Sequence, residues 1–368
     1  MILKNLDNKN TLELSEEIKK TIDKIDEDNK GTKEQFQFIL DNISMDELEY
    51  LRQKAKGVKE RFYDNRVYMR GLIEFSNYCE QNCLYCGIRK ANTNIQRYRL
   101  TDAEIDLCVD EGYKLGYRTF VLQSGEDPYC TDEKMVEIIS SIKKRYPEVA
   151  LTISIGERSK ESYQKMYDAG ANRYLLRHEA ASERLYNSLH PKKMSIENRK
   201  KCLTDLREIG YQIGAGFMVN SPTQTNADLV EDLLFLQELQ PDMCGIGPYL
   251  SHSQTPLNNQ EDGTIIQTQV CLALVRIIVP KALLPATTAL ATVDKQGREK
   301  MLNTGANVVM PNLSPTDNRK DYEIYENKIC LGDEAAQCRV CIEKKINRVG
   351  LEVDMNRGDV HNWKEKNV

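Results

Sequence analysis

The chain has 368 residues, of which 40% are hydrophobic and 29% are charged, and its formal net charge is -5. This length is sufficient for one large globular domain or two small ones. The acidic balance and the lack of a basic stripe with interleaved aromatic residues argue against binding to nucleic acid through phosphate contacts. We therefore expect the partners to be small molecules or proteins.

Three features bear on the cellular compartment. The first residues lead into acidic and polar sequence, which argues against a secretory signal or a transit peptide. The most apolar stretch, 271–293, is interrupted by two prolines and two basic residues, so it does not predict a membrane-spanning helix. Eleven cysteines, an odd number, favour reduced thiols over disulfides. These features predict a cytoplasmic protein without a membrane partner.

The first region, 1–60, is predicted to be helical. Apolar residues recur at helical spacing in 12–22 and again in 32–55, with charged residues on the opposite face. We expect these helices to form a layer against the body of the protein.

From Arg70 onward, short apolar runs alternate with amphipathic segments, which is typical of repeated strand-helix units around a parallel sheet. Thr101 and Glu104 predict a capping box at the first of these helices, and Gly116 suits its end. The predicted helices that follow are 132–144, 160–169, 196–209, 227–239 and 267–278. The predicted strands are 71–76, 119–124, 150–155, 173–176, 213–219, 243–248, 283–288 and 307–310.

This pattern predicts the α/β class and, more narrowly, a full (β/α)8 TIM barrel over 61–312. An extension over 313–368 would follow the barrel. In such barrels the chemistry lies at the carboxyl ends of the strands. The loop 251–266 and the region after Met310 are expected to lie over the same mouth.

Three cysteines follow the first predicted strand directly. Cys79, Cys83 and Cys86 have the spacing C-x3-C-x2-C on a polar loop, and Tyr85 precedes the last of them. Thiolates are the usual ligands of iron-sulfur clusters and zinc. Zinc is less favoured because no histidine is near enough in sequence to complete a local four-ligand site. A four-iron cluster held by three cysteines would leave one iron open to a ligand.

Polar residues also end other predicted strands. Gln123, Ser124 and Glu126 follow the second strand, where a glycine permits close backbone approach, although a simple turn would also explain them. Glu179 ends the fourth strand and is suited to ribose hydroxyls. Its neighbour His178 is more typical of a structural histidine. Arg199, taken alone, is equally compatible with a solvated helix charge.

These motifs resemble those of the FeFe-hydrogenase maturases of the HydE type, which are radical S-adenosylmethionine (SAM) enzymes more distantly related to biotin synthase. The resemblance covers roughly residues 62 to 362. The segments that carry it are 73–77, 79–89, 98–99, 121–129, 174–179, 245–248, 285–288 and 308–312.

The resemblance implies a barrel of the radical SAM type with a 4Fe-4S cluster on Cys79, Cys83 and Cys86. It implies SAM as a second cofactor, contacted by Tyr85, Gln123, Ser124, Glu126, Glu179, Arg199 and Met310. The residues implied to line the cavity beside SAM are Thr287, Thr288, Met310, Tyr322 and Tyr325.

The implied activity is reductive cleavage of SAM to a 5'-deoxyadenosyl radical, acting in maturation of the diiron subcluster of the hydrogenase active site. The implied substrate is a small iron-bearing complex that carries cysteine. An electron donor such as ferredoxin or flavodoxin, and other hydrogenase maturases, are the implied protein partners. One alternative is a mutase or sulfur-handling enzyme with an amino-acid-derived substrate, similar to methylornithine synthase or biotin synthase. Another is an iron-sulfur scaffold without turnover.

A second triplet, Cys330, Cys338 and Cys341, has the spacing C-x7-C-x2-C. Members of the family with these cysteines can carry an accessory 2Fe-2S or 4Fe-4S cluster here. The alternative is a set of free thiols or a labile centre without a catalytic role. The remaining cysteines stand singly in predicted elements, where packing is the expected role. They are Cys108, Cys130, Cys202, Cys244 and Cys271.

Overall fold

The computed structural model describes residues 8–329, residue 332 and residues 335–363. The chain begins with the helices α1 (Asn8–Asp28), α2 (Lys33–Asn42) and α3 (Met45–Tyr63). Thr32 and Ser44 begin the second and third helices with capping boxes. Each capping box satisfies backbone N-H groups that a helix start leaves without partners, which explains why both helices begin where they do.

All paired strands of the described residues are parallel, and in the largest sheet the spatial order of the strands is their order along the chain. Six of them form one sheet in the order β2-β3-β4-β5-β6-β8, and the smaller sheets have the orders β10-β1-β11 and β7-β9. The strands are β1 (Arg66–Met69), β2 (Gly71–Ser76), β3 (Thr119–Ser124), β4 (Ala150–Ser154), β5 (Arg173–Leu175), β6 (Gln212–Ala215), β7 (Met218–Val219), β8 (Met243–Cys244), β9 (Gly247–Pro248), β10 (Val308–Val309) and β11 (Glu352–Asp354). In register, Ile73 pairs with Leu122, which pairs with Ile153. All three side chains are buried, as a sheet covered by helices requires.

Helices fill the intervals between the strands. They are α4 (Asp102–Lys114), α5 (Asp132–Arg145), α6 (Lys160–Asp168), α7 (Glu183–Leu189), α8 (Ile196–Ile209), α9 (Asn226–Leu239), α10 (Ile265–Ile278), α11 (Thr288–Val293), α12 (Gly297–Leu302), α13 (Thr316–Arg319) and α14 (Ala335–Arg348). The predicted capping box of Thr101 and Glu104 is confirmed, and Gly116 follows that helix with φ +96°. The amino-terminal helices pack on this outer layer, α2 against α9 and α3 against α10.

Three predicted strands differ from the observed ones. The run 243–248 is split into β8 and β9, which belong to different sheets. The run 213–219 is split into β6 and β7 because Gly216 has φ +148°, and a Cβ there would lie 2.0 Å from the carbonyl oxygen of Gly245. The run 283–288 forms no named strand. Pro285 has no N-H to donate to a ladder, and only Leu283 and Pro285 form isolated parallel bridges, to Met243 and Val308.

The helices also bear on membrane insertion. Within the described ranges, none of them combines the length and the apolar character that crossing a lipid bilayer requires.

Residues 357–361 lie across the amino ends of the sheet strands. Thr119, the first residue of β3, donates to the carbonyl oxygen of Arg357 at 2.7 Å. Arg173 and Gln212, the first residues of β5 and β6, each donate to Asp359 Oδ1 at 2.7 Å. This end of the sheet is therefore filled by the chain itself, which leaves the carboxyl ends for a site.

The carboxylate of Asp359 is the group that Arg173 and Gln212 both contact at this end of the sheet. Burial on its own would raise the pKa of Asp359, but the charge of Arg173 and the hydrogen bond from Gln212 lower it to about 2. Arg173 is completely buried.

We expect replacement of Asp359 by asparagine to lower the free energy of unfolding by about 3 kcal/mol near pH ~7, because a buried guanidinium loses its counter-charge. The folded pKa lies below the unfolded value of about 3.9, so the carboxylate stabilises the fold above about pH 4 and loses this effect as the pH falls toward about 2. Urea unfolding of the cluster-free chain near pH ~7 and pH ~3 measures both effects.

The matched control is Asp64→Asn, whose partner Arg66 lies 3.2 Å away; the two side chains are 74% and 43% exposed. That change should cost less than about 1 kcal/mol, as is usual for exposed pairs. Equal losses in the two variants would contradict a special role for Asp359.

Candidate active site

A cavity of about 360 Å³ lies at the carboxyl ends of the sheet strands, a size within the range of small-molecule pockets. It brings together nearly all the residues that the sequence singled out. Its walls include Cys79, Cys83, Tyr85, Cys86, Gln123, Ser124, Glu126, Glu179, Arg199, Thr287, Thr288, Met310, Tyr322, Tyr325 and Cys338. Cys341 does not face this cavity, and Cys330 lies outside the described residues.

The cysteine loop leaves the end of β2 and is held by backbone hydrogen bonds to three other segments. Glu80 N-H donates to Glu126 O at 2.9 Å. Leu84 N-H donates to Leu189 O at 2.8 Å, and Gly87 N-H donates to Ile324 O at 3.0 Å. At Gly125, which follows β3, a Cβ would lie 2.7 Å from Cys79 Cβ and 2.3 Å from the carbonyl oxygen of Tyr78. Glycine at this point therefore lets the end of β3 approach the loop closely.

The three thiols are partly enclosed by the cavity wall. Burial raises the pKa of Cys79, raises that of Cys83 well above its usual range, and raises that of Cys86 to about 12. The thiols therefore carry protons until a metal replaces them, and metal binding releases those protons. In the described part of the chain, no three His, Cys, Asp or Glu side chains are arranged to hold a single metal ion. Three thiols along one wall suit a multi-iron cluster.

Tyr85 is oriented by a histidine that the sequence did not indicate. Its Oη lies 3.2 Å from His190 Nε2, and His190 Nδ1 lies 2.9 Å from Tyr186 O. Since Nδ1 faces a carbonyl oxygen, it carries the proton, and Nε2 accepts from Tyr85. Burial, together with the charge of Arg199, lowers the pKa of His190 to about 3, so this ring is neutral.

The side chain of Glu126 packs against Gly156, which follows the end of the neighbouring strand β4. Gly156 has φ +81°, and a Cβ there would lie 2.0 Å from Glu126 Cγ. Glu157 N-H donates to Glu126 Oε1 at 3.2 Å, and Gln81 Nε2 donates to Oε2 at 2.5 Å. Gln81 Oε1 is buried without a hydrogen-bond partner, which leaves an acceptor in the cavity wall.

Arg199 is buried on α8, so its interpretation as a solvated helix charge is wrong. Its Nε lies 2.6 Å from Glu157 Oε1, and its Nη1 donates to Arg177 O at 3.2 Å. Glu157 directly follows Gly156 after β4, so its position after a strand end was a usable sequence signal.

Glu179 lies in a strained turn. Its φ is +66°, and Ala180 N-H donates to His178 O at 2.8 Å across it. Turns of this kind are rare and costly, and they concentrate at functional sites. The Glu179 carboxylate lies 3.1 Å from Arg177 Nη2 at the cavity wall. His178 is structural, as expected, because it is fully buried and its Nε2 lies 3.1 Å from Asp232.

Hydroxyl groups occupy another part of the wall. Thr287 Oγ1 is buried without a hydrogen-bond partner, and Thr288 Oγ1 accepts from Arg298 at 3.0 Å. A Cβ at Gly247 would lie 3.1 Å from Thr287 Oγ1, so the glycine leaves that hydroxyl accessible to the cavity. Tyr322 Oη accepts from Gln123 Nε2 at 3.2 Å.

A buried ion pair, which the sequence analysis missed, joins this wall of the cavity to β2. Lys328 Nζ lies 2.6 Å from Glu74 Oε1, and Asn312 Nδ2 donates to Glu74 Oε2 at 2.7 Å. Lys328 also donates to Tyr322 O at 2.9 Å. Glu74 stands within the apolar run of β2, and a charged residue in such a run was the available signal.

The second cysteine triplet is only partly described. Cys338 is buried and faces the cavity, whereas Cys341, three residues further along α14, is exposed on its outer face. The single cysteines expected to serve packing are all buried, in agreement with that prediction.

Comparisons with known proteins agree with this geometry. The model of the Radical SAM superfamily matches residues 73–236. The [FeFe] hydrogenase maturase subunit HydE of Thermotoga maritima is 46% identical over 82% of this chain and 86% of the relative. The 3-methylornithine synthase of Methanosarcina acetivorans is 29% identical over 76% of this chain and 79% of that protein.

Solved structures extend the comparison to the fold. The crystal structure of methylornithine synthase (PylB) has a TM-score of 0.81 at 25% identity and covers 91% of this chain and 97% of that one. The maturase HydG has a TM-score of 0.77 at 19% identity, covering 95% of this chain and 80% of that one, which shows a shared fold alone.

Proposed function

Because this chain belongs to the HydE family of radical SAM enzymes, we propose that it acts in maturation of the diiron subcluster of the FeFe-hydrogenase active site. One observation carries this proposal. Cys79, Cys83 and Cys86, together with Glu126, Glu179 and the buried Arg199, come from segments distant in sequence and line a single cavity. The chain that forms this cavity is 46% identical to a hydrogenase maturase.

The cofactors follow from the family. They are a 4Fe-4S cluster and SAM, and the side chains of the cavity fit both. Cys79, Cys83 and Cys86 would hold the cluster, which leaves one iron without a protein ligand. When bound, the cluster supplies the electron that splits a carbon-sulfur bond of SAM and gives a 5'-deoxyadenosyl radical.

The protein's own residues orient SAM and limit access of water. Arg199 would hold its carboxylate through charge-assisted hydrogen bonds. Glu126 and the unpartnered Gln81 Oε1 would accept from its ammonium group, and Glu179 from its ribose hydroxyls. Gln123, Ser124 and Met310 line the same walls, and Tyr85 is already fixed by His190. The cavity walls would also limit the access of water to the bound cofactor and substrate.

The proposed substrate is a small iron-bearing complex that carries cysteine. Thr287, Thr288, Tyr322 and Tyr325 would line its part of the cavity. Their hydroxyl groups would supply donors for anionic ligand groups. We propose a ferredoxin or flavodoxin as electron donor and other hydrogenase maturases as the partners that supply and receive the complex.

Complementation of a hydrogenase-producing strain that lacks its HydE maturase tests this function. Restored hydrogenase activity is the expected result. A reconstituted protein that forms 5'-deoxyadenosine with dithionite but fails to complement would overturn the maturase role. Absence of 5'-deoxyadenosine would favour a scaffold.

A second candidate is an amino-acid mutase. The TM-score of 0.81 to methylornithine synthase favours it. Conversion of an amino acid by the reconstituted protein, measured by mass spectrometry together with failed complementation, would decide for this candidate.

We also propose that the sheet closes into a full (β/α)8 barrel over 61–312, with a helical layer over 1–60 and an extension over 313–368. Support comes from isolated parallel bridges beyond β8, which join Met243 to Leu283, Pro285 to Val308 and Leu72 to Asn312. Leu72 belongs to β2, so these bridges lead back to the first strand of the sheet.

The accessory cluster on Cys330, Cys338 and Cys341 remains a prediction. Replacement of all three by alanine should lower the iron content per chain and leave SAM cleavage within a few-fold of native, because the first cluster lies at the cavity mouth within reach of an external donor. Iron analysis and 5'-deoxyadenosine assays measure both. The control is Cys108→Ala, a buried cysteine away from the cavity.

Complete loss of cleavage would contradict the accessory role, provided that electron paramagnetic resonance still shows the first cluster. Cys338 lines the main cavity, whereas Cys341 is exposed and does not. The single variant Cys341→Ala therefore tests loss of a cluster without a change in the packing of the cavity wall.

A further inference from the structure

Arg97 follows the cysteine loop in the chain and forms hydrogen bonds to the backbone on both sides of the three cysteines. Its guanidinium donates to the carbonyl oxygens of Asn77, which precedes Cys79, and of Ile88, which follows Cys86. The bond to Ile88 is 2.8 Å long. Two further bonds reach the carbonyl oxygens of Arg89 at 2.7 Å and Asn92 at 3.1 Å. One planar side chain thus fixes the backbone on both sides of the three thiols.

Within the described residues, the charge of Arg97 has no carboxylate partner. Among the residues that the structure describes, its guanidinium forms no ion pair, and its four bonds all go to neutral carbonyl groups. The next basic residue, Arg99, differs in this respect, because it forms two bonds to Asp127 at 2.7 and 2.9 Å. Arg97 therefore places an uncompensated positive charge beside the loop.

We propose that Arg97 is a positioning residue for the cluster, which fixes the spacing of the three thiols and raises the reduction potential of the cluster through its charge. This inference rests on the proposed function, since it requires a cluster on Cys79, Cys83 and Cys86. The fork geometry of arginine accounts for the first effect, because lysine cannot reach four carbonyl groups in one plane. The second effect follows from Coulomb attraction, because reduction adds negative charge close to a fixed cation.

The test compares Arg97→Gln with Arg97→Lys. In the cluster-free chain, hydrogen exchange measured by mass spectrometry should be faster over 77–92 in both variants, since both lose the four-way contact. In the reconstituted protein, a redox titration followed by electron paramagnetic resonance should show a lower potential for Arg97→Gln. We expect the ratio of reduced to oxidised cluster at a fixed potential to fall about tenfold, which is 59 mV for one electron. Arg97→Lys retains the charge and should keep this ratio within about twofold.

The control is Lys90→Gln. Lys90 lies in the same loop and carries the same charge, but it is exposed. Its loss should leave exchange unchanged and shift the potential much less, because water screens an exposed charge.

Native exchange rates in Arg97→Gln would overturn the positioning role, and a native potential in a variant that retains its cluster would overturn the effect of charge. Loss of the cluster from Arg97→Gln, with native exchange outside the loop, would support the positioning role. In that case a tenfold fall of the reduced-to-oxidised ratio in Arg97→Lys, which keeps the charge, would overturn the effect of charge. These outcomes are distinct from a failure of the proposed function, in which the unaltered protein would form no cluster or no 5'-deoxyadenosine.

Discussion

Replacement of Cys83 by alanine is expected to abolish formation of 5'-deoxyadenosine. The structure supplies three thiols at this wall of the cavity, so the change removes one of three anchors of a four-iron cluster. The loss should exceed that of any other single change considered for this protein, because without the cluster no electron reaches SAM. Anaerobic reconstitution with iron and sulfide, followed by a dithionite assay for 5'-deoxyadenosine, measures it.

Cys271→Ala is the matched control, since Cys271 is a fully buried cysteine on α10 that does not line the cavity. It should retain the native iron content of the first cluster and most of the cleavage activity. Cleavage at the native rate by the Cys83→Ala protein would show that the assignment of the cluster to this loop is wrong.

Replacement of Arg199 by alanine is expected to raise the dissociation constant of SAM about 10- to 100-fold. Hydrogen bonds to charged groups contribute about 1.5 to 3 kcal/mol, and each 1.4 kcal/mol is about tenfold in affinity. The burial of Arg199 strengthens this expectation, because a carboxylate that meets it in the cavity is poorly screened by water. Calorimetric titration of the reconstituted protein with SAM gives the constant.

Two control variants separate the roles of this arginine. Arg207→Ala removes a charge from the same helix, where Arg207 only donates to Gln240 O on the exposed side, and it should leave SAM affinity unchanged. Glu157→Gln removes the carboxylate 2.6 Å from Arg199. If Glu157→Gln weakened binding as much as Arg199→Ala, Arg199 would act by positioning Glu157 and not by contact with SAM.

The cysteine loop, the capping boxes and most of the strands could be predicted from the sequence, because each depends on residues close together along the chain. The spacing of Cys79, Cys83 and Cys86 is a local pattern, and so is the pair Thr101 and Glu104, which the structure confirms. The resemblance to a known family added the positions that line the cavity. Their roles stay predictions, although the structure places them on one wall.

Contacts between distant segments were decided only by the tertiary structure. His190 meets Tyr85 across 105 residues, and Lys328 meets Glu74 across 254. No periodicity or spacing encodes such pairs, because they form only when the sheet and the segment after Met310 pack together. The same holds for Arg199. The sequence alone left a solvated position on a helix open, whereas the structure shows Arg199 buried beside Glu157.

The sequence by itself therefore determined where the thiols are and which segments alternate as strands and helices, because local patterns suffice for both. The tertiary structure alone decided which polar side chains face the thiols and which residues fill the opposite end of the sheet. The physical reason is burial. Asp359 and Arg173 fill the amino ends of the strands, so the cavity and its charged groups lie at the carboxyl ends.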